Sequence, residues 1–272
     1  LDAKDSVGVG EQVNFGIGFK NISQADFDSV RVKLAVTNKD NVEEVVFNGR
    51  KKALVAGDTI RFNMSIDTRL LAGQNTVFVN FNPDNDQPEE HLFNNYAFKN
   101  LYVRPDSLSP VMDVTFDGTH ILNRDIVSSK PHILVKLSDE LKGMVLDDTS
   151  LVTVNVRFPD GNLRRYYFNN SNDTLQFVPA QQGQSIDENT ASVRFNPYFL
   201  EDGEYELIVT GKDRSGNFAG GAQYKVSFMV INKPMISNML NYPNPFTTST
   251  AFVFTLTGSD VPQNIRIQVL TI

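Results

Sequence analysis

The chain has 272 residues, 40% of them hydrophobic, with 12 prolines, 17 glycines and no cysteine. That length accommodates one large domain or two to three small ones, and no apolar run reaches the ~18 residues that a membrane-spanning helix needs. The missing cysteines exclude disulfides, thiolate metal sites and cysteine nucleophiles within these residues, and a net charge of -7 opposes a nucleic-acid partner.

Twenty phenylalanines and eight tyrosines, with many Val, Ile and Thr, favour pleated half-buried strands over helices. The chain opens on Leu1 with no charged and apolar leader, so it is expected to be a fragment or to have lost its leader. Residues 12–21 alternate, with Val13, Phe15, Ile17 and Phe19 on one face and Asn14, Gly16, Gly18 and Lys20 on the other. That period of two predicts a strand with one wet face. Val30, Val32, Leu34 and Val36 repeat it, and so do Ile60, Phe62, Met64 and Ile66 after a Gly57-Asp58 turn. Val77, Val79 and Phe81 follow a Gly73-Gln74-Asn75 turn, and residues 96–103 close the series. Strands separated by such turns predict an antiparallel sandwich of roughly 100 residues.

Arg104-Pro105-Asp106-Ser107-Leu108-Ser109-Pro110 breaks the pattern and reads as a linker. Further strands are predicted over 111–116, 133–137, 151–158 and 163–168, the last two flanking the hairpin signal Pro159-Asp160-Gly161-Asn162. Asp202, Gly203 and Tyr205 have the spacing of the tyrosine corner of Ig-like sandwiches, in which the phenol caps a backbone group. A strand over 222–231 completes a second sandwich of about 120 residues. Asn232-Lys233-Pro234 marks a second junction. Beyond it, strands over 250–257 and 265–272 form the start of a third β module, and an isolated hairpin is marginal in water. The predicted class is therefore all-β: tandem Ig-like antiparallel sandwiches over 1–104 and 105–232, plus a partial module over 233–272. These segments carry net charges of -2, -6 and +1.

No constellation of catalytic, cofactor-binding or metal-ligating residues emerges. His91, His120 and His132 lack metalloprotease spacing. Gly8-Val9-Gly10 and Gly16-Ile17-Gly18 lie in β patterns without the helix a dinucleotide loop requires. The acidic run 83–90 and Asp213-Arg214-Ser215-Gly216-Asn217 could hold calcium, but both lack an EF-hand's ligand spacing and are read as turns. Asp147-Asp148 and Glu201-Asp202 are adjacent pairs whose side chains diverge, so they do not form a glycosidase dyad. Tyr166, Tyr167, Phe252 and Phe254 are read as core and edge packing, since the chain has no tryptophan for sugar stacking.

The segment Tyr242-Pro243-Asn244-Pro245-Phe246, followed by 250–256 and 265–269, resembles the opening of the type A C-terminal sorting domain of the Bacteroidetes type IX secretion system. Gly10-Glu11-Gln12-Val13 to Phe19-Lys20-Asn21, with Leu71-Ala72-Gly73 and Pro88-Glu89 to Phe93-Asn94-Asn95, resembles the CARDB pattern of adhesin-like modules. Asp113-Val114-Thr115-Phe116-Asp117-Gly118 to Asp125-Ile126-Val127-Ser128, with Lys130-Pro131 and Leu146-Asp147-Asp148-Thr149, resembles the region between the catalytic and sorting domains of gingipain-like cysteine peptidases. The resemblance implies a non-catalytic stalk whose peptidase domain lies upstream, and a type IX secretion machinery that reads the complete sorting domain. It also implies an extracellular or outer-membrane location reached through the periplasm. A tail-mediated homodimer is a further expected partnership, because the open strand edges of 241–272 invite pairing. The alternative is a glycan- or protein-binding adhesin. A cleft lined by Tyr166, Tyr167 or Tyr198 would favour the adhesin, and uniformly polar outer sheet faces the stalk.

Overall fold

The computed structural model describes residues 1–89, 91–169, 173–181, 189–221, 223–258, 264 and 266–268. The regular structure of these residues is almost entirely strand, and their helical content is two three-residue 3-10 turns. The all-β expectation holds. Two compact units are present: residues 1–107 together with Leu141–Met144, and residues 108–140 together with 145–272.

The first unit contains β1 (Ser6–Gly8), β2 (Gln12–Lys20), β3 (Val30–Thr37), β4 (Glu43–Lys51), β5 (Thr59–Asp67), β6 (Gly73–Phe81) and β7 (Tyr96–Arg104). Five of them form a sheet in the order β1-β7-β6-β3-β4, and β2 pairs with β5 in a second sheet. All neighbours are antiparallel except β1, which runs parallel to β7. The inward residues are those of the alternation: Val13, Phe15 and Ile17 from β2 meet Val30, Val32 and Leu34 from β3 and Val77 and Val79 from β6. Burying each such side chain contributes about 1.5–3 kcal/mol. Strand β4 escapes sequence reading because Glu43–Lys51 sits at a sheet edge with both faces largely wet, so its sequence carries no alternation.

The second unit contains β8 (Val111–Phe116), β9 (Asp125–Val127), β10 (Ile133–Asp139), β11 (Val152–Arg157), β12 (Leu163–Tyr166), β13 (Leu175–Val178), β14 (Asn189–Phe195), β15 (Gly203–Gly211) and β16 (Tyr224–Val230). A four-stranded sheet in the order β13-β14-β10-β8 faces a five-stranded one in the order β12-β11-β15-β16-β9. The turn at Pro159-Asp160-Gly161-Asn162 joins β11 to β12 as the sequence predicts. Gly161 takes a positive φ of 85° there, and Phe158 and Gly161 donate N–H bonds within the turn. Between the sheets an aromatic cluster forms from Phe116, Phe199, Tyr205 and Phe228, each at most 2% exposed. Phe228 meets Phe116 and Phe199 at 5.4 Å and Tyr205 at 5.7 Å between ring centroids. Strand β14 is hidden in the sequence because two of its inward positions are Asn189 and Ala191, which carry no strong apolar signal.

A separate two-stranded sheet pairs β17 (Met235–Tyr242) with β18 (Ala251–Thr257), antiparallel. The strand Met235–Tyr242 is not among those expected from the sequence, and it pairs with the expected strand over 250–257. A local chain reversal through Tyr242-Pro243-Asn244-Pro245-Phe246 brings the two strands together. Thr257 fixes the open end, its hydroxyl donating to the carbonyl of Lys233 at 2.6 Å. Of the expected strand 265–272, all but Arg266, Ile267 and Gln268 lies outside the described residues, and these three are not in a strand.

Candidate functional site

The first unit carries a cleft of about 900 Å³. One wall is the end of β2 and the following turn, from Gly18 to Ala25; the other is built by Pro88, Glu89, His91, Asn94 and Asn95. Three buried asparagines at strand ends shape it: Asn21 after β2, Asn82 after β6 and Asn95 before β7. Asn21 clamps the first wall. Its Nδ2 donates to the carbonyls of Ala25 at 2.8 Å and Leu54 at 3.2 Å, and its Oδ1 accepts from the Ser23 N–H and hydroxyl. Asn82 takes a positive φ of 51°, a conformation asparagine tolerates better than most residues.

Glu89 ties the second wall. Its Oε2 accepts from Asn82 Nδ2 and from Asn95 Nδ2, both at 2.6 Å. Among the described residues, Asn95 Oδ1 is buried with no hydrogen-bond partner. Glu89→Ala is expected to strip a partner from two buried amides; Asn82 Nδ2 keeps the Gln87 carbonyl at 3.4 Å, so the loss falls on Asn95 Nδ2 and destabilises the first unit by about 1–3 kcal/mol. Chemical denaturation of the full chain, followed by amide exchange of the β6–β7 segment, checks this. An unchanged midpoint would contradict it.

Chemically the cleft is lined mostly by polar groups. A nucleophilic serine needs a base within hydrogen-bond reach, but the Ser23 hydroxyl bonds the Asn21 amide oxygen at 2.7 Å and the Ala25 carbonyl at 3.0 Å. The His91 ring lies against Phe93, 5.5 Å between centroids. Four of the five asparagine and glutamate positions here, Asn21, Glu89, Asn94 and Asn95, belong to the segments that carry the CARDB resemblance. Asn82 left no such signal.

The acidic run 83–90 folds back on arginines: Asp84 pairs with Arg31 at 2.6 Å, and Asp86 pairs with Arg50. The Arg50 guanidinium holds the Asp86 carboxyl below the usual carboxylate range. Glu90 lies outside the described residues. In the second unit the buried Asp213 carboxylate accepts the N–H and side-chain amide of Asn217, both at 2.8 Å, so it shapes its own turn. Asp148 caps the 3-10 turn Thr149–Leu151 by accepting from the Ser150 N–H, and Asp147 pairs with Arg214. His120 bonds Asp113 at 2.6 Å and His132 bonds Asn196 at 2.8 Å.

Tyr205 is 1% exposed, and its hydroxyl donates to the Glu201 carbonyl at 2.9 Å. Gly203 opens β15 with φ 143°, and Asp202 Oδ1 accepts from the Asn232 N–H at 2.6 Å. Burial pushes the phenols of Tyr205, Tyr166 and Tyr224 above the ordinary 10.0. The folded chain then holds these protons more tightly than the unfolded chain. Their contribution is complete below pH 10.0 and is lost as pH rises through the folded values. Melting of the second unit is expected to fall above that pH. Tyr205→Phe should flatten the fall while costing about 0.5–1.5 kcal/mol at neutral pH. A melting temperature that stays level through this range would contradict the assignment.

Tyr242, Pro243, Asn244, Pro245 and Phe246 form the link from β17 to β18. Tyr242 is 70% exposed and Phe246 is exposed, and the Thr250 hydroxyl donates to the Pro243 carbonyl at 2.9 Å. Tyr166, Tyr167 and Tyr198 are engaged separately: Tyr166 packs edge-on against Phe195, Tyr167 lies beside Arg165, and Tyr198 lies beneath Lys130. Among the described residues no helix is long and apolar enough to cross a membrane.

No protein-family model and no curated protein matches the chain. Solved structures do. A CARDB domain of a Pyrococcus furiosus protein, solved in complex with di-metal ions, is similar over 38% of this chain and 82% of its own, at 17% identity and a TM-score of 0.34. A red sea bream transglutaminase is similar over 85% of this chain and 31% of its own, at 11% identity and a TM-score of 0.30. Dimeric latent PorU from Porphyromonas gingivalis is similar over 93% of this chain and 25% of its own, at 14% identity and a TM-score of 0.32. The chain thus spans about a third and a quarter of the last two proteins.

Proposed function

We propose that the chain is a non-catalytic accessory region of a secreted gingipain-like cysteine peptidase, standing between an upstream catalytic domain and a C-terminal secretion signal. In this reading residues 1–104 are a CARDB-like module, 105–232 an Ig-like module, and 233–272 the opening of a type IX sorting domain. The partners are the upstream peptidase domain and the type IX secretion machinery, and the location is the cell surface or beyond, reached through the periplasm. The observation that carries the reading is the placement of Tyr242-Pro243-Asn244-Pro245-Phe246. The segment stands open to solvent at the turn of its own two-stranded sheet, after two units that each have a core of their own. Sandwich modules in series suit a spacer, since each buries its own apolar surface without a ligand.

The test is replacement of residues 242–246 by alanine in the full-length parent, followed by cell fractionation and a cysteine-dependent peptide hydrolysis assay. The variant is expected to accumulate in the periplasm while the unaltered parent reaches the surface. Unaltered surface delivery overturns the sorting assignment. A parent without thiol-dependent hydrolysis overturns the peptidase assignment.

The adhesin reading is favoured by one observation: the outer face of the first unit's larger sheet is not uniformly polar, because Tyr96 and Phe98 stand exposed on it.

A further inference from the structure

We propose that the outer face of the five-stranded sheet in the first unit is a platform for a neutral polysaccharide chain. The inference holds whether or not the chain serves a peptidase. It rests on the register of four neighbouring strands. Val45 of β4 lies opposite Ala35 of β3, Ala35 opposite Phe78 of β6, and Phe78 opposite Phe98 of β7. These four side chains line up across three strand gaps, about 14 Å; Ala35 is fully buried beneath its neighbours, so the open apolar surface lies at Val45 on one end and at Phe98 with the half-buried Phe78 on the other.

The row is bordered on both sides by amides and hydroxyls. On one side the same pairings place Asn48, Lys33, Asn80 and Tyr96 in line; on the other they place Glu43, Thr37, Thr76 and Asn100 in line. The rings are open: Phe98 is 62% and Tyr96 48% exposed. They also brace one another. Phe98 lies 4.8 Å from Phe78 and 5.8 Å from Tyr96 between centroids, so their orientation is set before a ligand arrives.

The chemistry of the three rows selects the occupant. The apolar row offers ring faces carrying the negative side of an aromatic quadrupole, which suits the C–H face of a sugar. The bordering asparagines and threonines each donate and accept, as hydroxyl groups do. The two charges in the rows cancel, since Lys33 Nζ pairs with Glu43 Oε1 at 2.8 Å, so the face has no preference for a charged polymer. Strand addition by a peptide uses backbone at a sheet edge, whereas this row crosses the interior strands β3 and β6. The row and its flanking ring present roughly 300 Å² of apolar surface, below the roughly 450 Å² of apolar surface per partner that a standard-size interface buries.

Affinity electrophoresis of the full chain in native gels tests the proposal, with laminarin, soluble starch, hydroxyethylcellulose or yeast mannan in the gel and chondroitin sulfate as the anionic comparison. Retardation by at least one neutral polymer is expected. Phe98→Ala and Tyr96→Ser should each weaken it about tenfold, and Phe98→Tyr should retain it, with melting curves matching the parent. Identical mobility in all four neutral polymers overturns the proposal. So does retardation by chondroitin sulfate alone, or retardation that both Phe98→Ala and Tyr96→Ser leave intact. Light scattering adds a further arm: a dimer that Phe98→Ala disperses would assign the face to a second copy and overturn the saccharide reading.

Discussion

Phe228→Ala is expected to destabilise the second unit by about 3–5 kcal/mol, the range for removing a buried aromatic ring. Phe228 is fully buried and lies within 5.7 Å, centroid to centroid, of Phe116, Phe199 and Tyr205. Truncation removes the ring that all three contact. Those neighbours cannot collapse into the space, because Phe116 is held in β8 and Tyr205 is fixed by its bond to the Glu201 carbonyl. The first unit has its own core, centred on Phe15, Phe27 and Leu34. Calorimetry of the full chain should therefore show one transition shifted down and the other unmoved. A shift below about 1 kcal/mol would mean that the site repacks and that the cluster is not the centre of this core.

Gly203→Ala is expected to cost about 2–4 kcal/mol from two sources. The backbone at Gly203 has φ 143°, which a residue with a Cβ adopts only with strain. An added Cβ would also lie 2.9 Å from both Cβ and Cγ of Pro159, an overlap of the kind that costs about 1–3 kcal/mol. The two sources separate in a double-mutant cycle. In a Pro159→Gly background, which removes both Cβ and Cγ, the steric share should be relieved and the backbone share should remain, so the penalty shrinks without vanishing. An equal penalty in both backgrounds would show that the Pro159 ring is not the obstacle. Because Gly203 opens β15 two residues before Tyr205, the variant should also raise the alkaline sensitivity of the second unit.

Strand content was legible wherever one face of a strand meets the core and the other meets water. The Val13, Phe15, Ile17 series and the Val30, Val32, Leu34, Val36 series are buried as their spacing predicts. Where both faces share a character, the signal disappears: β4 is wet on both sides, and β9 is only three residues long. The tail shows a different limit. Met235, Ile236, Leu240 and Val253 are apolar yet exposed, so burial does not fix their pairing, and pattern reading missed β17.

The sequence by itself determined the all-β class, the turn at Pro159-Asp160-Gly161-Asn162 and the identity of most inward residues. These follow from the two-residue period of a strand and from local backbone preferences, both of which act between near neighbours. The tertiary structure alone decided which strands pair. It joined Glu89 to Asn82 and Asn95 and placed that loop across a cleft from Asn21. It aligned Val45, Ala35, Phe78 and Phe98, which come from four separate strands, into one row. Register between strands distant in sequence is set by the joint packing of two sheets, and no local pattern encodes it.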